Sequence, residues 1–188
     1  MELLANSLRE APVVDRGSYQ YFVHPITDGI PIVEPALMRE VATGIANLVD
    51  TERPTKILTA EAMGIHIATA VSLETDIPFV IARKRSYGFD DEVPVHQVTG
   101  YGESEIYVNG ISPEDQLLIV DDVCSTGNTL RALTDAVDQI GATITDIAVV
   151  IQRPSEQPIP ELPSDVKCLI EVEVVDGEVV ILDTHEEP

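Results

Sequence analysis

One short stretch constrains the fold of this chain more than any other, the segment LLIVDDVCSTGNTLRAL at 117–133. Four apolar residues run into two adjacent aspartates, and a loop of small residues then leads into apolar residues at helical spacing. A continuous apolar run of this kind is typical of a strand that is buried on both faces, as in parallel sheets. The stretch therefore predicts a strand over 115–122 and a helix over 129–141, which Gly141 closes.

The rest of the chain repeats this alternation of strand and helix. Buried strands are predicted at 55–60, 77–83 and 144–153, and helices at 1–10, 36–50 and 64–75. Strands that alternate with helices form right-handed βαβ units, so we expect an α/β fold with a mostly parallel sheet. Four less regular segments complete the prediction: strand and irregular loop at 19–35, an edge strand at 104–110, and two late strands at 166–175 and 178–183.

The charge of the chain is extreme for its length. The 188 residues carry a formal net charge of −22, and the acidic side chains are spread over every segment. We interpret this as a solvated acidic surface of the kind found in proteins from a salt-loaded cytoplasm, although an ordinary acidic protein is the alternative. A phosphate-binding face for nucleic acid needs clustered Lys and Arg, so no nucleic-acid partner is expected.

The spacing of the cysteines and the hydropathy of the chain indicate the cellular compartment of the protein. Cys124 and Cys168 lie far apart and form no CxxC or Cys/His metal spacing, which indicates reduced thiols. The N-terminal segment has no basic region followed by a long apolar run, and no window approaches 18 apolar residues. The sequence therefore predicts a single cytoplasmic domain over 1–188 with no membrane contact.

Ligands of parallel sheets bind beyond the carboxyl ends of the strands, which directs attention to 60–64, 83–87 and 121–129. In the last of these, small residues and hydroxyls at a helix N-terminus form a cradle for one phosphate: Ser125, Thr126, Gly127, Asn128 and Thr129. Asp121 and Asp122 could accept hydrogen bonds from a sugar diol or orient a hydrated metal ion. A phosphate beside a diol describes ribose 5-phosphate. The structural alternative is that the hydroxyls are helix N-caps and the aspartates surface turns.

The segment LLIVDDVCSTGNTL resembles the phosphoribosyl pyrophosphate (PRPP) signature of the type I phosphoribosyltransferases. The resemblance extends over about 10–183 to the archaeal hypoxanthine/guanine branch and, with the acidity, to a haloarchaeal member of it. The segments that carry it are YFVHPITDGIPIVEPALMREVAT, KILTAEAMGI, TDIPFVIARKRSYG, VPVHQVTGY and VEVVDGEVVIL.

The resemblance implies a type I phosphoribosyltransferase fold with three parts. These are a small hood, mainly from about 10–35, a core at about 36–153, and C-terminal strands within 166–183. It also implies Mg²⁺-dependent transfer of phosphoribosyl from PRPP to a purine base in purine salvage. Catalysis would fall to Asp121 and Asp122, with water-mediated Mg²⁺ as a further role for them, and the protein would be a homodimer.

A cluster of cations follows the strand predicted at 77–83. Arg83, Lys84 and Arg85 are three of only eleven basic residues in the chain, and a departing pyrophosphate needs cations. The resemblance assigns pyrophosphate to Arg83, and less directly to Lys84 and Arg85; the alternative is a salt-bridged surface patch. It also places a pyrophosphate loop at 61–65, where Ala62, Met63 and Gly64 would bring backbone amides to the leaving group.

The remaining expected site residues are aromatic. By resemblance, 98–104 is a mobile flap in which Tyr101 shields the reacting carbon, with a core tyrosine as the alternative. Tyr21 and Phe22 of the hood are the candidates for stacking on the base. The four histidines share no spacing, so no metal site or catalytic base is assigned to them, and His66 is expected to be structural or solvent-facing.

Two loop positions depart from the family pattern. In hypoxanthine/guanine enzymes the position that matches Ser125 carries an Asp suited to act as a base, and the position of Asn128 carries Gly or Lys. The ribose-phosphate half is therefore expected to be intact, whereas the accepted base stays open between hypoxanthine/guanine and adenine. A PRPP- or nucleotide-binding regulatory protein without turnover is the alternative function. A dinucleotide-binding fold is not supported because no GxGxxG follows an early strand.

Overall fold

A six-stranded sheet lies at the centre of the structure, a computed structural model that describes residues 1–15, 17, 20–99, 102–154 and 159–185. The strands are β1 (Val13–Asp15), β2 (Gln20–Phe22), β3 (Lys56–Ala60), β4 (Phe79–Ala82), β5 (Val93–Thr99), β6 (Gly102–Val108), β7 (Gln116–Cys124), β8 (Thr143–Gln152), β9 (Val166–Val175) and β10 (Glu178–Thr184). The helices are α1 (Glu2–Arg9), α2 (Pro25–Asp28), α3 (Pro35–Leu48), α4 (Gly64–Thr75) and α5 (Asn128–Ile140).

The central sheet has the order β10-β9-β8-β7-β3-β4. Every neighbouring pair in it is parallel except β9 and β10, which form an antiparallel hairpin. The prediction of a mostly parallel α/β sheet is therefore confirmed. Strand β7 lies in the interior of the sheet, which explains why its sequence is apolar on both faces.

Two apolar clusters cover the two faces of the sheet. On one face, α1, α3 and α4 contribute six fully buried side chains: Leu4, Leu8, Val41, Ile45, Ile67 and Val71. On the other face, α5 packs with the β5–β6 hairpin through Leu130, Leu133, Val137, Ile106 and Val108. Each such side chain contributes roughly 1.5–3 kcal/mol when it is removed from water. The two layers hold the strands, and so the carboxyl ends of the strands, in fixed positions.

The predicted hood consists of the antiparallel pair β1–β2 followed by the short helix α2. His24 anchors this region: its Nδ1 accepts a hydrogen bond from the Ile26 N–H at 3.2 Å, and its Nε2 lies 2.9 Å from the Ser7 hydroxyl of α1. Burial lowers the pKa of His24 to about 4, so the ring is neutral where it joins α1 to the hood.

Every predicted helix and strand from 36 onwards is present with ends within two residues, and α4 and β9 match the predicted ranges. Three short elements, β1, α2 and β5, were not predicted as such. The segment expected at the edge of the sheet is β6, which forms a separate hairpin with β5 and reaches the edge strand β4 through a single bridge between Arg83 and Tyr107. No helix in the described ranges is long and apolar enough to span a membrane.

Candidate active site

The carboxyl ends of β3, β4, β7 and β8 lie along one edge of the sheet because these strands are parallel. The three turns singled out from the sequence, 60–64, 83–87 and 121–129, therefore lie at the same edge. This is where a ligand of a parallel sheet is expected.

Asp121 and Asp122 lie inside β7, which corrects the prediction that they end the strand. The strand continues to Cys124 because the long neighbour β8 pairs with it as far as Gln152. The two side chains are only 5% and 9% exposed. Successive side chains of a regular strand point to opposite faces of the sheet, but this alternation is interrupted at the aspartates. Val120 and Val123 are three residues apart, yet both contact the apolar cluster formed with α1, α3 and α4.

The two carboxyl groups form a buried, coupled pair. Burial raises the pKa of both groups, and the charge of Asp121 together with a side-chain hydrogen bond raises that of Asp122 further. Asp121 Oδ1 accepts the Asp122 N–H at 3.0 Å, and within the described ranges no Lys or Arg forms an ion pair with either residue. Buried carboxyls without a cation are costly to the fold, so this pair is a candidate for function.

The turn from β7 to α5 offers backbone donors without a competing carboxylate. Gly127 is the N-cap of α5 in the left-handed region, with φ of 72°. The N-cap position is a glycine and the first turn of the helix contains no acidic residue, so the alternative that a hydroxyl occupies the N-cap position is not supported. Around the start of the helix lie Thr126, which is exposed, and Ser125, Asn128 and Thr129, which are half-buried. Such a helix start is suited to bind one phosphate.

The turn from β3 to α4 approaches β7 closely. A Cβ on Gly64 would lie 2.0 Å from Thr59 Oγ1 and 2.8 Å from Asp121 Oδ1, so only glycine fits at this position. The Thr59 hydroxyl is buried and has no hydrogen-bond partner among the described residues. The Glu61–Ala62 peptide is cis, and Met63 precedes the first residue of α4. The predicted pyrophosphate loop and the carboxyl pair are thus brought together.

The three consecutive cations are divided between two environments. Arg83 Nε lies 3.1 Å from Glu61 Oε2, so the two side chains form an ion pair. The Nε–H bond does not point at the carboxylate well enough to form a hydrogen bond. Glu61 Oε1 also accepts the Lys84 N–H, so this carboxylate ties β4 to the turn after β3. Arg85 instead places its guanidinium 5.4 Å from the ring centre of Tyr87, which is half exposed. Of the three, Arg83 is the one joined to the turn that approaches Asp121.

The hood faces the same edge through Tyr21. The Tyr21 hydroxyl donates to Asp28 Oδ1 at 2.9 Å, while Asp28 Oδ2 accepts from the His24 N–H and the Thr27 hydroxyl. Burial, Asp28 and the nearby Asp122 together raise the pKa of Tyr21 well above its usual value. A Cβ on Gly29 would lie 3.5 Å from Met63 Cε, so the hood also meets the β3–α4 turn.

Phe22 does not have the exposure that base stacking requires. Its ring is 1% exposed, belongs to the core and lies 5.3 Å below the guanidinium of Arg153. The expected stacking role is corrected accordingly: Phe22 packs the hood onto the sheet. Tyr101, the expected flap residue, lies outside the described residues.

Four residues at this edge were not predicted from the sequence: Asp28, Thr59, Glu61 and Arg153. Glu61 and Arg153 each follow a buried strand directly, which is the same signal that identified Asp121. Nothing in the sequence distinguished Asp28 or Thr59, whose positions depend on contacts with distant residues. His66 is half-buried, with its Nε2 unpaired among the described residues and its pKa lowered by burial, which agrees with a structural role.

The carboxyl pair has the chemistry to hold a hydrated Mg²⁺, because this ion binds one or two carboxylates and keeps several waters. No group of three or more His, Cys, Asp or Glu residues in the described ranges could hold a metal by itself. A metal at this edge would therefore need oxygens from a bound substrate in addition to those of Asp121 and Asp122.

Comparison with known proteins reveals similarity along most of the chain. A family model described as phosphoribosyl transferase domain matches residues 32–181. The hypoxanthine/guanine phosphoribosyltransferase of Methanocaldococcus infernus is 56% identical over 180 residues, which cover 95% of this chain and 98% of the relative. HGPRTase-like protein 1 of Haloquadratum walsbyi is 49% identical over 185 residues, 98% of each chain.

A solved structure of similar fold is the adenine phosphoribosyltransferase from Thermoanaerobacter pseudethanolicus. It superposes with a TM-score of 0.73 over 90% of this chain and 98% of that chain, at 18% identity. At this identity the likeness shows the fold, which is the type I phosphoribosyltransferase architecture expected from the sequence.

Proposed function

The chain belongs to the phosphoribosyltransferase family, and from that premise we propose that it transfers the phosphoribosyl group of PRPP to a purine base in a Mg²⁺-dependent reaction. The bond from ribose C1 to pyrophosphate breaks and a bond from C1 to a purine nitrogen forms, giving a nucleoside monophosphate, pyrophosphate and a proton. One observation supports this most strongly: a buried carboxyl pair with no ion pair to a described cation lies between the N-terminus of α5 and the turn that bears Arg83.

The β7–α5 turn would anchor the 5-phosphate of PRPP. Backbone N–H groups at the start of α5 and the side chains of Ser125, Thr126, Asn128 and Thr129 supply the donors, and Gly127 allows the turn. The helix dipole adds a favourable interaction with an anion of about 0.3–1 kcal/mol. Because this phosphate does not take part in the reaction, its binding energy can hold C1 in position over the sheet edge.

Asp121 and Asp122 would contact the ribose. Their oxygens accept hydrogen bonds from the two ribose hydroxyls, and their negative charge stabilises the positive charge that develops at C1 as the pyrophosphate bond lengthens. This effect is strong because the groups are buried, where electrostatic interactions are weakly screened. The raised pKa values fit this role, since a bound cationic centre would favour the ionised form of the pair.

The turn at 61–64 and the cations after β4 would receive the leaving group. Amides of Ala62, Met63 and Gly64 would approach pyrophosphate, and Arg83 can exchange part of its contact with Glu61 for a contact with a phosphate oxygen. Lys84 and Arg85 would add longer-range attraction. Mg²⁺, held through water by Asp121 and Asp122 and by PRPP itself, would neutralise the negative charge that grows on the leaving group.

The hood would cover the base. The Tyr21 hydroxyl commits its proton to Asp28 and so presents only lone pairs to a ligand, which makes it an acceptor for an N–H donor of the base. The relative at 56% identity is named for hypoxanthine and guanine, which supports a purine as the acceptor. We propose a single domain over 1–188, and a role in purine salvage as a cytoplasmic homodimer follows from the family resemblance.

The test is turnover with a defined set of bases. The full-length protein is incubated in concentrated potassium chloride with PRPP, Mg²⁺ and hypoxanthine, guanine, adenine or uracil, and nucleotide and pyrophosphate are quantified by chromatography. We expect equal amounts of nucleotide and pyrophosphate with at least one purine and none with uracil. Measurable PRPP binding without turnover on any base would overturn the enzyme assignment and support the regulatory alternative.

A further inference from the structure

A cavity of about 830 Å³ lies between α1, α3 and the β9–β10 hairpin. None of the residues that line it belongs to the turns after β3, β4 or β7. Its volume lies within the range of small-molecule sites, roughly 300–1,000 Å³. The chemistry of its walls indicates what it binds.

Apolar residues contribute to the inner wall of the cavity. They are Met1, Ala5 of α1 and Leu169 of β9, beside Gly44 of α3. A Cβ on Gly44 would lie 2.7 Å from Met1 Cε and 3.2 Å from Leu169 Cδ2, so glycine lets these side chains pack against α3 at this wall. An apolar group is the kind of ligand that such a wall accommodates.

Two arginines on the rim lack acidic partners. Arg9 donates from Nη1 to Asn6 Oδ1 at 3.1 Å and forms no ion pair with a described residue, and exposed Arg39 forms neither a hydrogen bond nor an ion pair with one. Three basic side chains elsewhere have acidic partners at 2.7–2.8 Å: Lys56 with Asp115, Arg131 with Asp135 and Lys167 with Asp146. In a chain of net charge −22, two arginines that line one cavity without an acidic partner among the described residues indicate a site for an oxyanion.

The glutamates of the cavity do not neutralise these arginines. Glu40 accepts the N–H groups of Leu3 and Leu4 at 3.1 and 2.8 Å, and lies 3.6 Å from the Met1 ammonium. Its carboxylate is thus used to hold the start of α1. Glu2 is exposed on the same helix and forms no ion pair with a described residue.

We propose that this cavity is a second ligand site that binds a purine nucleoside monophosphate, with the base against the apolar wall and the phosphate at Arg9 and Arg39. The residues of the cavity fit an oxyanion joined to an apolar body, and the choice of a purine nucleotide rests on the proposed function, whose product it is. The ligand would contact α1, the helix whose Ser7 holds His24 and which leads directly into the hood.

The experiment locates the ligand by NMR. The ¹⁵N-labelled full chain is titrated with guanosine monophosphate, and separately with guanosine, while amide shifts are followed. We expect two groups of amides to respond to the nucleotide, one at 125–129 and one that includes Asn6, Thr43 and Thr184. Guanosine, which lacks the phosphate, is expected to leave the second group unmoved at the same concentration.

Variants separate the two sites. Arg39→Gln and Arg9→Gln should each weaken the second binding event about tenfold, the size expected for loss of one charge-assisted contact, and leave the shifts at 125–129 unchanged. Arg53→Gln is the matched control, because Arg53 is also exposed and without a described ion pair but lies outside the cavity. It should change neither event.

Two results would overturn the proposal: shifts confined to the turns of the active-site edge, or a second event that Arg9→Gln and Arg39→Gln leave intact. Failure of the proposed function has a different signature. In that case the turnover assay yields no nucleotide with any base, while the shifts at α1 and α3 and their dependence on Arg39 persist.

Discussion

The β7–α5 and β3–α4 turns leave neighbouring parallel strands and both depend on glycine, yet they differ in charge and in the reason for that glycine. Gly127 adopts a left-handed conformation, whereas Gly64 is required by the close approach of Thr59 and Asp121. The first turn presents a helix N-terminus with no acidic residue, and the second is joined to the end of β4 by the ion pair between Glu61 and Arg83.

This difference indicates a division of labour. A helix N-terminus without a nearby carboxylate is suited to a group that stays unchanged, such as the 5-phosphate. A turn whose Glu61 is paired with Arg83 is suited to a leaving group, because Arg83 can transfer its contact as negative charge grows. The predictions below test this division, from the largest expected effect to the smallest.

Gly64→Ala should reduce kcat/KM at least about 100-fold, because the new methyl would displace Thr59 and Asp121 from beneath the reacting ribose. It should also lower the free energy of unfolding by about 1–3 kcal/mol through overpacking. Steady-state kinetics and denaturant unfolding measure the two effects.

Gly88→Ala is the matched control for this substitution. Gly88 has a φ of 69° and a Cβ there would meet nothing within 4 Å, so only backbone strain of about 1–2 kcal/mol is added. Wild-type kinetics in Gly64→Ala would show that the close approach of the two turns has no part in catalysis.

Asn128→Asp and Arg83→Gln should separate the two anion sites. The first places a negative charge in the first turn of α5 and should weaken ribose 5-phosphate about tenfold or more, with little effect on pyrophosphate. The second removes the cation of the β4 edge and should weaken pyrophosphate about tenfold, with little effect on ribose 5-phosphate. Calorimetric titration of each ligand into each variant gives the four affinities.

Asp135→Asn serves as a control, since it changes one carboxylate on the same helix but at a distance from its N-terminus and paired with Arg131. Equal losses of both ligands in both variants would mean that the two turns form one undivided site, contrary to the division of labour.

The smallest effect concerns stability against pH, where the carboxyl pair and the hood should have opposite slopes. The pKa of Asp121 is raised to about 6 and that of Asp122 is raised too, so their contribution is complete below pH 4 and is lost as pH rises through these values. The pKa of His24 is lowered to about 4, so its contribution is present above pH 6.5 and is lost as pH falls towards 4. The shifts of Asp121 and of His24 each correspond to about 3 kcal/mol.

Denaturant unfolding at pH 4, 5, 6 and 7 measures these slopes in three proteins. Asp121→Asn with Asp122→Asn should make stability rise more steeply with pH, and His24→Gln should make it fall more steeply. A profile unchanged by both substitutions would contradict the burial of these groups as titrating sites.

The sequence was sufficient to predict the helices and strands that a local pattern determines, and the site residues that directly follow strands. The apolar run before Asp121, the helical spacing before Gly141 and the cations after β4 each carry their signal in a few neighbouring residues. Thr59 and Asp28 carry none, because their positions depend on Gly64 and Tyr21, which tertiary packing brings near. Phe22 was misjudged for the same reason: an aromatic residue in an irregular segment gives no sign that Arg153 covers its ring.

The most direct test of the central claim compares turnover and stability in the double variant Asp121→Asn with Asp122→Asn. Both substitutions keep the shape of the side chains and remove charges that are buried without a cation, so the variant should be at least as stable as the wild type. If the pair holds the ribose as charge develops at C1, kcat/KM for PRPP should fall by at least about 1,000-fold while the fold is retained. Turnover within a few-fold of wild type in a folded double variant would contradict the account.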